Sequence, residues 1–120
     1  SSPVQLDLRV ATRDLDLRGV PIRKGPIVVS WIGSANRDEE VFADPKRFDV
    51  GREDNNHIGF GFGPHYCLGA SLARLETQVA ISTLLAKTRS FERTDDELLP
   101  LHQSIVFRGV TSLPLRLVPA

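Results

Sequence analysis

The sequence predicts an α+β segment in which short antiparallel strands accompany one long helix. Three observations carry that prediction. Apolar and polar residues alternate with a period of two through much of the first 32 residues. The stretch from 33 to 56 is polar and keeps no sustained period. After the only cysteine, Cys67, apolar residues recur at helical spacing to about residue 88.

Val4, Leu6, Leu8 and Val10 alternate with Gln5, Asp7 and Arg9, the spacing of a half-covered strand. Leu15 and Leu17 continue it, Gly19 interrupts it, and Val20-Pro21-Ile22 resumes it. Lys24-Gly25-Pro26 reads as a turn. Ile27, Val28, Val29, Trp31 and Ile32 form a β-branched and aromatic run that predicts a more buried strand. Residues 1–32 are therefore expected to form a small antiparallel meander. Asp44-Pro45 and Gly51 punctuate the polar stretch, where a short helical turn is expected around Glu39 to Phe42 within an otherwise irregular loop.

Leu68, Leu72, Leu75 and Val79 fall at i, i+4, i+7 and i+11, with Ala73, Ala80, Ile81, Leu84 and Leu85 beside them. This predicts one amphipathic helix over about 68–88, built from good helix formers. The tail offers strand candidates at 90–94, 104–107 and 113–118, interrupted by Gly109 and Pro114. With no repeat, linker or low-complexity run, residues 1–120 are expected to form a single segment.

Composition narrows the function. Hydrophobic residues make up 41% and charged residues 25%, as in an ordinary globular chain. A formal net charge of zero argues against a nucleic-acid or membrane-surface role driven by bulk charge. One cysteine forms no internal disulfide, no apolar run reaches membrane-span length and no secretory leader is visible, so a cytoplasmic location is expected. The chain opens Ser-Ser-Pro and has no methionine, which leads us to expect further sequence upstream.

The cysteine sits in His57-Ile58-Gly59-Phe60-Gly61-Phe62-Gly63-Pro64-His65-Tyr66-Cys67-Leu68-Gly69. A dinucleotide loop starting at Gly61 needs glycine at 66, where Tyr stands; starting at Gly59 it needs one at 64, where Pro stands. A structural zinc site needs four ligands, and beyond Cys67 the chain offers only His57, His65 and His102. A catalytic Cys–His pair is formally open, as is an inert buried thiol. The surroundings favour an accessible thiolate. Unpaired backbone N–H groups precede a helix there, and Gly61, Gly63 and Gly69 remove side chains. Phe60 and Phe62 offer flat apolar surfaces, and His65 and Arg9 supply donors. A flat anionic metallocofactor such as haem fits that description.

Phe60 to Gly69 resembles the haem-binding loop of the cytochrome P450 family, the haem-thiolate monooxygenases. The pattern Phe-x-x-Gly-x-His/Arg-x-Cys-x-Gly is met at every fixed position. Gly69-Ala-Ser-Leu-Ala-Arg-Leu-Glu76 is similar to the following helix of soluble, bacterial-type members, and Ala35 to Asp38, Phe42 to Asp49 and Arg9 to Thr12 resemble the same family. The resemblance implies a C-terminal piece, about the last third, of that mainly-α fold. It implies haem b (iron protoporphyrin IX) with Cys67 as the iron ligand, Phe60, Gly61, Gly63 and Gly69 forming the ligand loop, and His65 and Arg9 on propionates. It implies a structural role for Arg52, the meander arginine that pairs with an upstream Glu-x-x-Arg helix, with Arg47 as runner-up. His57 takes a structural place before the loop, His102 has no assigned role, and Val4, Ile105 and Val106 line the substrate pocket.

The implied reaction inserts one oxygen atom from O₂ into a small organic substrate. Electrons come from NAD(P)H through a ferredoxin or flavodoxin-type partner. Two family elements are not found in these 120 residues: the Glu-x-x-Arg helix, expected just before Ser1, and the oxygen-activating helix with its acid–threonine pair. The isolated chain is therefore expected to be inactive without the N-terminal part of the same protein. A truncated, non-catalytic haem-binding or interaction fragment is the alternative.

Overall fold

The computed structural model describes residues 2–120. The chain divides into two units. One comprises the residues up to Gly59 with Gln103–Arg108; the other comprises Phe60–His102 with Gly109–Ala120.

In the first unit, β1 (Asp7–Val10) pairs antiparallel with β4 (Ile27–Ser30), placing Arg9 opposite Val28. Between them, β2 (Leu15–Leu17) and β3 (Val20–Ile22) form their own hairpin. The expected meander is thus replaced by one hairpin nested inside another, in two separate two-stranded sheets. The neck of the inner hairpin explains the nesting. The Lys24 N–H donates to Asp14 Oδ1 at 2.7 Å and Arg23 Nη1 to Asp14 Oδ2 at 3.1 Å, while Gly25 N–H donates to the Ala11 carbonyl at 2.8 Å. The inner turn is Arg18-Gly19, with φ of 51° and 83°. Two consecutive left-handed residues suit the twist of a tight hairpin.

The Ile27–Ile32 run departs from expectation. Its strand stops at Ser30, and Ile27 and Trp31 are more than half exposed. Ile32, which is buried, instead opens the one-turn helix α1 (Ile32–Ala35). The Gly33 N–H donates to the carbonyl of Gln5, just ahead of β1, at 3.0 Å, so the chain stays tied to its partner stretch as strand gives way to helix. The helical turn expected near Glu39 is present: the Val41 and Phe42 N–H groups both donate to the Asp38 carbonyl. Leu6, Ala11, Ile32 and Phe42 are the buried apolar residues of this unit.

The tail segment 104–107 is a turn bearing one bridge, not a strand. The Ser104 hydroxyl accepts the N–H groups of Val106 and Phe107 at 3.2 and 3.0 Å, a local alternative to ladder pairing. The segment still meets residues 3–5: Gln5 N–H donates to the Val106 carbonyl, Arg108 N–H to the Pro3 carbonyl, and Val4 bridges Phe107.

The second unit holds a 3₁₀ turn at Gly63–His65, helix α2 (Ala70–Lys87), and the antiparallel pair β5 (Thr88–Arg93) and β6 (Leu115–Pro119), with a bulge between Thr88 and Ser90. The helix runs directly into β5, because Thr88 turns extended while its N–H still closes on the Leu84 carbonyl. The single apolar stripe expected of α2 is not its pattern. At about 100° per residue, Leu72, Leu75 and Val79 share one side, Ala73, Ala80 and Leu84 lie well round from them, and Ile81 and Leu85 fall on a third. Helices apolar on several sides belong in interiors. Yet of this unit's apolar residues only Ala70 is buried, and Leu72, Leu75, Val79, Ile81 and Leu85 are each more than half exposed. Among the described residues, no helix is long and apolar enough to cross a membrane.

Candidate functional site

The approach to the cysteine loop is set in the first unit. The Asn36 side-chain oxygen accepts the Ile58 N–H at 2.8 Å, and His57 Nδ1 accepts the Gly59 N–H at 3.1 Å. His57 thus accepts a backbone N–H in the turn before the loop.

The loop itself is short and tightly closed. Gly61 and Gly63 adopt φ of 77° and 71°, left-handed values that residues with a Cβ pay for. A Cβ on Gly61 would also lie 3.5 Å from the His65 carbonyl oxygen. Tyr66 N–H donates to the Gly63 carbonyl at 3.0 Å, and Cys67 N–H donates back across the loop to the Phe60 carbonyl at 2.8 Å. Ala70 N–H then takes the Cys67 carbonyl at 3.2 Å, tying the cysteine to the start of α2. Gly69 occupies the N-cap with no side-chain cap. Cys67 thus stands two residues ahead of the cap, a free and exposed thiol.

Behind the loop, Arg74 of α2 stacks on Phe60, with its guanidinium carbon 4.6 Å from the ring centroid. The same guanidinium donates from Nη2 to the Tyr66 hydroxyl at 3.0 Å. Phe60 and Tyr66 are themselves a tilted aromatic pair, with centroids 6.4 Å apart and planes at 55°. Neither Arg74 nor Tyr66 was expected as a site residue. One signal was available: helical side chains lean toward the N-terminus, so a long cation one turn into α2 reaches back over the preceding loop.

These residues suit a planar metal-bearing macrocycle. The thiol is accessible, Phe62 and Leu68 beside it are 87% and 100% exposed, and a Cβ added at Gly63 or Gly69 would meet nothing within 4 Å. His65 is exposed, with no side-chain hydrogen-bond partner among the described residues.

The remaining predicted residues sit in the first unit. Arg9 lies on β1, ion-paired with Asp7 and donating to the Leu8 carbonyl. Arg52 does not meet a carboxylate; it donates to the carbonyls of Ala43, Asp44 and Arg47 at 2.6, 3.1 and 3.4 Å. It closes the 43–47 turn, where Asp44 holds a φ of 47°. Arg47, with Glu39, Phe42 and Lys46, lines an open depression that contains none of the other predicted residues. Val4 and Val106 are brought together by the pairing of their segments, with Ile105 exposed beside them. His102 belongs to the second unit, where its N–H donates to the Gly109 carbonyl. No group of three or more His, Cys, Asp or Glu is placed to hold a metal ion among the described residues.

Comparison with known proteins gives a consistent result. A family model described as Cytochrome P450 matches residues 1–115. Cytochrome P450 109 of Bacillus spizizenii is 49% identical over 118 residues, covering 97% of this chain and 29% of that protein. A crystal structure of P450BioI in complex with hexadec-9Z-enoic acid ligated acyl carrier protein superposes with a TM-score of 0.92 at 44% identity, covering 97% of this chain and 30% of that one. CYP109E1 from Bacillus megaterium in complex with testosterone superposes at 0.89 with 37% identity, covering 95% and 31%. The chain thus spans less than a third of the length of these relatives.

Proposed function

The chain belongs to the cytochrome P450 family, and from that premise we propose that it is the haem-binding part of a monooxygenase acting on an organic substrate. The observation that carries the reading is the exposed Cys67 thiol, held at the mouth of a loop by its own N–H on the Phe60 carbonyl.

Haem, when bound, supplies an iron centre for O₂, and a thiolate ligand favours O–O cleavage there. The chain's own residues do the rest of the binding. Cys67 gives up its Sγ proton on ligation and presents the sulfur. Gly63 and Gly69 leave the ligand side open, and the exposed Phe62 and Leu68 offer apolar surface beside it. His65 donates to one propionate. Arg9 has five N–H donors, so it can keep Asp7 and still reach a propionate. Val4, Ile105 and Val106 face the substrate. The two structural relatives hold a fatty acyl chain and a steroid, which favours an apolar organic substrate here. Electrons from NAD(P)H arrive through a ferredoxin or flavodoxin-type partner. The 120 residues alone do not turn over, since they hold neither the acid–threonine pair nor the Glu-x-x-Arg motif of the family.

Haem titration followed by reduction and carbon monoxide tests the ligand. A strongly red-shifted Soret band is expected, lost in Cys67→Ser. A spectrum that Cys67→Ser leaves unchanged refutes the assignment. Product formation on adding a redox partner would separate an enzyme from the alternative, a non-catalytic haem-binding fragment, and turnover by the chain alone would overturn the claim that it is inactive.

A further inference from the structure

A Cys67 that ligates iron needs its loop held in one conformation. Its turn has no side-chain cap at either end of the 3₁₀ segment, and Gly69 caps α2 without a side chain. Two glycines at positive φ make the loop intrinsically permissive. A cationic clamp crosses it. Arg74 lies over the Phe60 ring and bonds the Tyr66 hydroxyl, so it touches residues at both ends of the Phe60–Cys67 closure. Phe60 supplies the carbonyl that accepts the Cys67 N–H, and Tyr66 is the covalent neighbour of Cys67.

We propose that Arg74 is a positioning residue for the cysteine ligand: its guanidinium pins Phe60 and Tyr66 together and thereby fixes the backbone that presents the Cys67 sulfur. The inference rests on the reading of Cys67 as iron ligand for its spectroscopic consequence only; the loop clamp itself exists without haem. A planar guanidinium is required. Its carbon lies 4.6 Å from the Phe60 centroid while Nη2 reaches the Tyr66 hydroxyl, whereas a lysine ammonium is a compact point charge on a flexible stem. A planar cation over an aromatic ring is also one of the geometries in which such pairs attract.

The test has a haem-free arm and a haem arm. Amide exchange of the 120-residue chain is measured for wild type, Arg74→Ala, Arg74→Lys and Tyr66→Phe. Exchange at Cys67 is expected to rise about tenfold in Arg74→Ala, with the rise confined to residues 60–67. Arg74→Lys should restore part of the protection. Tyr66→Phe added to Arg74→Ala should cost little more, because the hydrogen bond is already gone. In the haem arm, Arg74→Ala should lose haem about ten- to a hundredfold faster and show a larger unshifted fraction in its reduced carbon monoxide spectrum. Unchanged exchange at Cys67 overturns the proposal. So does a uniform rise that includes α2, β5 and β6, since that marks general destabilisation. Wild type that takes up no haem refutes the ligand reading and leaves the clamp decided by exchange alone.

Discussion

At the scale of single residues, the cysteine loop holds glycines of two kinds, one at a positive φ and one at an ordinary φ with open space around it. Gly63 sits at a φ of 71° with open space around it, so a methyl there strains the backbone without a clash. Gly63→Ala should cost about 1–2 kcal/mol in chemical denaturation. Gly69 has a φ of −86° and equally open surroundings, so Gly69→Ala should change stability by less than about 1 kcal/mol yet still weaken haem uptake in the titration. Equal stability losses in the two variants would contradict this division. Arg52 gives a second case. Its guanidinium bridges three carbonyls, and neither alanine nor lysine can fork in that way. Arg52→Ala should lose about 1–2 kcal/mol and make the 43–52 stretch the first site of limited proteolysis. Cys67, Gly61 and Gly63 stood out in the sequence because each is a residue type with one special property, and the structure gives the two glycines positive φ and the cysteine an exposed thiol. Arg52's carbonyl targets were not, because an arginine among surface charges carries no mark of which acceptors it will meet.

At the scale of elements, what was legible depended on how local the deciding interactions are. Helix α2 begins and ends within two residues of its expected bounds, because its run of good helix formers is decided within a turn or two. The β2 and β3 runs were marked by alternation on either side of Gly19, though within an expected meander and not as a separate nested hairpin. The pairing of β1 with β4 was not legible: it joins residues some 20 apart, and the alternation that marks each strand does not name its partner. The strand expected at 104–107 failed for a local reason that could have been read, since a serine can take two successive N–H groups that a ladder would need. The inner hairpin yields a clean prediction. Arg18 carries a Cβ at a φ of 51°, where asparagine is better tolerated. Arg18→Asn should stabilise the chain by up to about 1 kcal/mol, read as a raised denaturation midpoint at unchanged slope. A lowered midpoint would show that the Arg18 side chain matters more than its backbone.

At the scale of the whole molecule, surface area sets the terms. The chain exposes 10329 Å², whereas a compact chain of its 13.3 kDa exposes roughly 6,500 Å² of the roughly 19,000 Å² available when unfolded. Unfolding it therefore uncovers only about 70% of the surface that a compact chain of this size would uncover. Leu68, Leu72, Leu75 and Val79 lie along one side of α2 and its approach, all more than half exposed, in a family whose relatives are more than three times as long. The apolar pattern announced a helix to be covered, and among the described residues this side of α2 stays exposed. The denaturant slope scales with surface uncovered. The 120-residue chain should thus show a urea slope about 70% of that of a compact 13 kDa protein, with a correspondingly broad transition. Joined to a polypeptide that carries the remaining length of its relatives, the same segment should lose its protection from amide exchange at α2 together with the rest of the protein, in one cooperative step. A full-sized slope for the isolated chain would mean that it covers these faces by itself, and the reading of α2 as a helix awaiting cover would fall.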